Sequence, residues 1–308
     1  MSSILIGVDP SPRSEDAIAF AEHLAAVSTA HVVVACAFPY NDGIRQGSDP
    51  TYRKALADEA QETAAQMRDK LIGPIDESRL RIRIAANPSP AHALHDLAEA
   101  DRAELVVVGS SHTGHLGRVA PGSTAERLLH GAPCAVAVVP YGYRTRTAQP
   151  IRRIGVAYDG SAEATDALAA AVELARAFGA ELELIGVVTG SIYAASGMMG
   201  GAFYAPPVDD LERGVQEELD AALAGLPADI TAESVCLAGD PADQLGERSA
   251  SLDLMLAGSR GYGPLRSVLV GGVSGRLIRT AHCPVIVVPR GIKTPLANLF
   301  AVVEVSVA

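Results

Sequence analysis

Two glycine-rich stretches of this chain could bind an anion. Near the C-terminal end, a short apolar run closes in Gly258-Ser259-Arg260-Gly261-Tyr262-Gly263, and Gly271-Gly272-Val273-Ser274 follows to open a helix. Glycine lets backbone N–H groups approach a ligand without interference from a Cβ. A helix N-terminus adds free donors and the positive end of the dipole, so the two together suit a phosphate. Arg260 could pair bidentately with phosphate oxygens, although a lone loop arginine is more often simply solvated. Asp159 ends an earlier apolar run, Ile154-Gly155-Val156-Ala157-Tyr158. If the strand order reverses between the first and fourth strands, Asp159 and Gly258 flank one crevice beyond the strand ends. A carboxylate there can accept from a ribose hydroxyl or an adenine amine. The competing reading is a glycine loop kept only for close helix-to-strand packing.

The same arrangement occurs earlier in a weaker form. Asp9 ends the run Ile4-Leu5-Ile6-Gly7-Val8, Gly109 precedes His112 where the other stretch has Gly261, and Gly122-Ser123-Thr124 opens a helix. His112 brings a Cβ and a ring to a close-approach position, so this half is the less complete of the two.

Other chemistries find little support. The lysines are Lys54, Lys70 and Lys293, and none lies in G-x4-G-K-[ST], which excludes a P-loop. There is no H-E-x-x-H, no EF-hand loop and no G-x-S-x-G elbow. His92 with His95, and His112 with His115, have a spacing that could serve a metal, but no thiolate or carboxylate completes either set. Scattered helix-surface and loop histidines are the plainer reading. Asp9 and Asp159 have no adjacent nucleophile that would make them general bases.

The elements that must position these residues are written twice. Ile6-Gly7-Val8-Asp9-Pro10-Ser11 returns as Val156-Ala157-Tyr158-Asp159-Gly160-Ser161, and Leu105-Val106-Val107-Val108-Gly109-Ser110 returns as Leu254-Met255-Leu256-Ala257-Gly258-Ser259. Ala132-Pro133-Cys134-Ala135-Val136 returns as Ala281-His282-Cys283-Pro284-Val285. Near-constant separation over three blocks means two copies of one domain. The copies span 1–140 and 151–290, joined by a polar linker at 141–150 and followed by a tail at 291–308. Short, nearly continuous apolar runs alternate with segments of helical period such as Ala17, Phe20, Ala21, Leu24 and Val27. Ser11 and Ser161 stand at N-cap positions, with Pro12 at the first helical position of copy one. This pattern predicts an α/β protein of two tandem flavodoxin-like or Rossmann-like domains. Each should hold a mainly parallel five-stranded sheet with helices on both faces. Phe38 to Tyr52 and Thr189 to Pro207 follow the second strand of each copy and read as flaps over a site or as plain surface insertions.

Composition fits this architecture. The 308 residues are 48% hydrophobic and 20% charged but only 4% aromatic, without Trp, so Ala, Val, Leu and Ile must form the core. A formal charge of −11, with acidic residues in excess in both halves, argues against nucleic acid as a partner. Cys36, Cys134, Cys236 and Cys283 form no close pair and read as packing thiols in a reducing compartment. The N-terminus lacks the features of a signal peptide. The apolar stretch from Leu296 to Ala308 is too short to span a bilayer, so a cytoplasmic location without membrane contact is expected.

These residues resemble the universal stress protein family, as two tandem copies of the universal stress protein A domain. The likeness rests on Asp159, Gly239-Asp240-Pro241 and Gly258-x2-Gly261-x9-Gly271 in copy two, and on Asp9 and Gly109-x2-His112-x9-Gly122-Ser123 in copy one. It spans nearly the whole chain except linker, flaps and tail. Copy two departs at Gly272, where a hydroxyl is expected, but keeps Ser274. Copy one departs at His112, at Ala125, and at Asn87-Pro88-Ser89-Pro90, which replaces the Gly-x-Pro turn. The resemblance implies ATP or another adenine nucleotide as ligand, with or without Mg²⁺, and Val187 and Ala257 flanking the base, Ala37 being the smaller counterpart in copy one. It further implies that the last strands pair the two domains within one chain, as a homodimer would, and it leaves association of two chains open. The expected role is a stress-response regulator that binds an unidentified protein partner and does not turn nucleotide over. The alternatives are a nucleotide-independent scaffold and, further off, a slow ATPase.

Overall fold

The computed structural model describes residues 2–41, 50–71, 75–110, 124–146, 150–189, 208–259, 272–291 and 296–300. Copy one supplies β1 (Ser3–Val8), α1 (Pro12–Ala26), β2 (His31–Phe38), α2 (Pro50–Arg68), β3 (Leu80–Ala86), α3 (Pro90–Ala100), β4 (Leu105–Gly109), α4 (Thr124–Leu129) and β5 (Ala135–Val139). Copy two repeats the series as β6 (Arg153–Ala157), α5 (Ala162–Phe178), β7 (Glu181–Val188), α6 (Val208–Ala224), β8 (Ala232–Ala238), α7 (Pro241–Arg248), β9 (Leu254–Ser259), α8 (Val273–Thr280) and β10 (Val285–Pro289).

The strands form one ten-stranded sheet in the order β3-β2-β1-β4-β5-β10-β9-β6-β7-β8. Within each half every described pairing is parallel, and the halves join through one antiparallel ladder of β10 on β5, with Ile286 opposite Ala137. The two five-stranded sheets expected from sequence are therefore present but continuous. β1, β4, β5, β9 and β10 are almost wholly buried, because helices cover both faces, and this is why they read as unbroken apolar runs. β3 and β8 lie at the outer edges and are half-exposed; β3 turns Arg81 and Arg83 to solvent, charges that blunt an open edge.

Two apolar layers sandwich the sheet. One holds α1, α2 and α5 against both halves, with Phe20, Leu24, Ala171 and Leu174 at its centre; the other holds α3, α4, α7 and α8, with Leu94, Leu128, Leu245 and Leu277. The layers run through the seam, so each half is buried partly against the other.

Three segments differ from the sequence reading. Phe38 completes β2 and Pro50 to Tyr52 begin α2, so in the first flap only 42–49 lie outside the described residues; in the second, 190–207 do. The linker is docked on copy one. Asp16, fully buried, accepts from the backbone N–H of Gly142 and of Arg144, both at 2.9 Å, and Tyr143 meets Phe20 edge-on at 5.7 Å. The tail contributes core: Leu296, Leu299 and Phe300 are buried in the layer with α5, and Ser28 Oγ donates to the Leu299 carbonyl at 2.8 Å. The described part of that apolar stretch, 296–300, thus packs between the halves.

Candidate functional site

The strand order reverses at β6, which has β7 on one side and β9 on the other. The connections on either side lead to helices on opposite faces of the sheet, which opens a crevice beyond the carboxyl ends of the strands. A cavity of about 630 Å³ lies there, within the ~300–1,000 Å³ range of small-molecule sites. Its walls come from the ends of β6 (Tyr158, Asp159) and β7 (Val187, Thr189), from Ala257, Gly258 and Ser259 of β9, and from Asp240 and Pro241 at the start of α7. Gly272 through Arg276 of α8 line it as well, and so do Glu126 and Leu129 of α4, from the other copy.

Local sequence fixes each wall. Asp159 Oδ1 accepts from Ser161 N at 3.1 Å and from Ser161 Oγ at 2.5 Å, while Ser161 Oγ accepts from Ala164 N and caps α5. Gly258 is required by packing, since a Cβ there would meet the Glu163 backbone at 2.5 Å. Gly272 is different. It is the N-cap of α8 without a side-chain cap, and among the described residues a Cβ there would meet nothing within 4 Å. Close strand-to-helix packing among the described residues therefore accounts for Gly258 but not for Gly272, which stands with the first turn of α8 along the cavity wall.

Ser259, which the sequence reading passed over, lines the cavity, and its buried Oγ has no hydrogen-bond partner among the described residues. A buried hydroxyl costs free energy until it is paired, so this group favours a polar ligand. Its position directly after Gly258 at a strand end is the only signal the sequence carried. At the cavity wall, Arg276 reaches from α8 to Asp240, with Nη1 to Oδ2 at 2.8 Å and Nη2 to Oδ1 at 2.7 Å. Asp240 also accepts from the N–H groups of Ala242 and Asp243, capping α7. The Arg276 guanidinium holds the Asp240 carboxyl below the usual aspartate value. Gly239 before it has φ +141°, a conformation glycine takes readily. Pro88 stands in that place in copy one, where Ser89 N instead donates to Asn87 Oδ1 at 2.9 Å.

The copy-one residues sit differently. Asp9 follows β1 and is half-buried: Ser11 N, Ser11 Oγ and Ser14 Oγ donate to Oδ1, and Arg13 Nε and Nη2 donate to Oδ2 at 3.0 and 2.5 Å. Ser11 N-caps α1 by backbone position only, its hydroxyl being turned to Asp9. Gly109 ends β4 against the Arg13 carbonyl, Ala37 lies within β2 opposite Ala85, and Thr124 is the first residue of α4. None of the four borders the copy-two cavity. Arg260, Gly261, Gly271, His112, Gly122 and Ser123 lie outside the described residues.

Among the described residues no group of three or more His, Cys, Asp or Glu could hold a metal ion. His92 and His95 lie on α3, and His95 faces Asp96 at 3.4 Å. Cys36, Cys134 and Cys283 are buried and, among the described residues, form no disulfide; burial pushes Cys134 up to about 12 and Cys36 to about 11. Among the described residues no helix is long and apolar enough to cross a membrane.

A duplicated, doubly wound α/β protein with a crevice at its strand-order reversal is the class defined by this geometry. The sequence model of the universal stress protein family matches residues 1–140 and 150–289, and the chain belongs to that family. It is 30% identical to a universal stress protein of Mycobacterium tuberculosis over 221 residues, 66% of this chain and 70% of the relative. A universal stress protein of Mycolicibacterium smegmatis is 28% identical over 304 residues, 92% and 96% of the two chains. Among solved structures, a universal stress protein from Archaeoglobus fulgidus superposes with a TM-score of 0.67 at 22% identity, covering 94% of this chain and 98% of that one. A functionally unknown protein from Pseudomonas aeruginosa has a TM-score of 0.60 at 18% identity, covering 97% and 95%. These two share the fold.

Proposed function

We propose that the chain is a cytoplasmic, adenine-nucleotide-binding stress-response protein that holds ATP in the copy-two cavity and acts through occupancy, not turnover. The observation that carries this reading is the cavity at the strand-order reversal, whose lining brings together a carboxylate, apolar side chains and the first turn of a helix. Val187 and Ala257 provide an apolar slot for a base. Asp159 is placed to accept from the ribose hydroxyls, and the first turn of α8, with Ser274, offers donors to phosphate. Ser259 adds a buried hydroxyl without a partner among the described residues. By the family motif, Gly261 and Gly271 complete the phosphate side, with Arg260 between Gly258 and Gly261 able to pair with phosphate oxygens, and Gly122, Ser123 and His112 hold the corresponding places in copy one. The described residues supply no carboxylate cage, so Mg²⁺ would arrive on the phosphates with its own waters.

Isothermal titration of ATP into nucleotide-free protein, comparing wild type with Asp159→Ala and Gly261→Val, tests the reading. Saturable binding weakened by both substitutions is expected. Undiminished affinity in both variants would remove the site, and no binding to wild type would leave a nucleotide-independent scaffold. Phosphate release absent from the Gly261→Val control would make the protein a slow ATPase instead.

A further inference from the structure

The copy-two cavity does not end inside copy two. We infer that copy one supplies a working wall of the copy-two nucleotide site, with Leu129 of α4 against the ligand and Arg279 of α8 as the positioning residue that ties α8 to α4 through Glu126. The inference rests on the reading of copy two given above, and adds what the second copy contributes to it.

The floor of the cavity is a row of side chains one strand apart. Ile185 of β7 stands opposite Ala157 of β6, Ala157 opposite Ala257 of β9, and Ala257 opposite Val287 of β10. All four line the cavity, and the small alanines in the middle leave room above them. Neighbouring strands lie ~4.8 Å apart, so three steps carry the row about 14 Å from the crevice toward the seam. β10 is the seam strand, and Val287 lies opposite Val136 of β5 in the antiparallel ladder. Beyond Val287 stands copy one. Leu129 is buried in the same apolar layer as Val287, and Glu126 is one turn earlier on α4; both line the cavity.

The helix proposed to hold phosphate is itself tied to that wall. α8 lines the cavity with its first turn, and Arg279, one residue before its C-terminal end, is ion-paired with Glu126. Its 8 residues make a rod only about 12 Å long. Fixing the last turn of so short a helix on α4 therefore fixes the first turn as well. Glu126 is buried, so solvent screens this pair less than one between two surface groups. The tie is made once. By the spacing of the repeat, Gly275 stands where copy one has Glu126 and His130 where copy two has Arg279, so the symmetry-related pair has no carboxylate. Arg279 is not among the described residues that line the cavity, and it acts on nucleotide through Glu126 and α8.

The test uses the full chain. ATP is titrated calorimetrically into wild type, Leu129→Ala, Arg279→Gln and Arg279→Lys, and the leucine methyl NMR spectrum of wild type is recorded with and without saturating ATP. Leu129→Ala and Arg279→Gln should bind ATP about fivefold or more weakly, and Arg279→Lys, which keeps the charge, should recover most of the loss. The Leu129 methyls should shift on ATP addition by more than those of Leu128, its buried neighbour on the same helix. The spectrum needs no variant, so it decides together with Arg279→Gln if Leu129→Ala fails to fold. ATP binding to wild type with unchanged affinity in the variants and unmoved Leu129 methyls would overturn the inference and leave the copy-two reading intact. Weaker binding without a methyl response would mean that the substitutions only loosen the fold, and a methyl response without a change in affinity would make Leu129 a bystander; either overturns it. No binding to wild type would remove the inference and the copy-two reading together.

Discussion

Arg279 of α8 is ion-paired with Glu126 of α4 across the seam between the two copies, and that carboxylate also borders the copy-two cavity. The copies are thus joined by more than the β5–β10 ladder, because a side chain of one half walls the site of the other. Glu126 is buried, whereas Arg279 is about a third exposed. Glu126→Ala removes the partner of a partly desolvated arginine. It should cost about 2 kcal/mol, under the ~3–5 kcal/mol of a fully buried pair, and should weaken ATP binding as well. Urea unfolding and ATP titration of the variant check this; an unchanged urea midpoint together with unchanged affinity would contradict it.

Glu183 at the start of β7 is buried and held by Arg248, through Nε at 2.5 Å and Nη2 at 2.8 Å, and by Arg153 at 2.9 Å. The matching position in copy one is Val33, so the fold does not demand a charge there. Glu183→Ala should destabilise by about 3 kcal/mol, since it leaves two guanidinium groups without their common acceptor. Glu183→Val should cost less, because it refills the volume. Thermal unfolding of the two variants gives the order, and equal losses would contradict the account.

The linker is fixed by one buried carboxylate. Asp16→Ala leaves the N–H groups of Gly142 and Arg144 without their acceptor, at roughly 1–3 kcal/mol per orphaned group. Trypsin should then cut faster after Arg144. A cleavage rate equal to wild type would mean that Tyr143 on Phe20 and the Arg144 contacts to Glu15 and the Pro12 carbonyl hold the linker without Asp16.

The acid limb of stability should report the clasp between α7 and α8. The hydrogen bond from Arg276 puts the Asp240 carboxyl below 3.8 in the folded chain. The stability it contributes is complete above that value and is lost as pH falls through the lower, folded value. Arg276→Met should therefore remove part of the pH dependence of the melting temperature below about pH 4 and leave the slope at neutral pH unaltered. An acid limb identical to wild type would show that the pair is too well solvated to matter.

Fold and family were legible because they depend on pattern. Repeated apolar runs and the spacing of Asp159, Gly258 and Gly271 survive any rearrangement of side chains. What escaped sequence reading depends on where side chains turn. Arg13 and Glu163 stand in register in the two copies, but only the direction of each side chain reveals that one binds the adjacent aspartate and the other pairs with Arg290. Glu126 carried no signal, since its place at the cavity depends on how the halves dock. Leu296, Leu299 and Phe300 read as a tail because their partners around α1 and α5 lie far away in the chain. Tyr143 was hidden in a polar stretch for the same reason.

Gly272 offers the most direct test of the central claim, that the copy-two cavity holds an adenine nucleotide at the N-terminus of α8. Among the described residues nothing would meet a side chain at this N-cap, and aspartate is among the best N-cap residues, so Gly272→Asp should fold with equal or slightly higher stability. It also places a negative charge where the phosphates must sit. Calorimetric titration of ATP should show binding to wild type and its loss in Gly272→Asp, with a melting temperature no lower than that of the parent. Undiminished binding in a well-folded Gly272→Asp protein would place the nucleotide elsewhere and contradict the account.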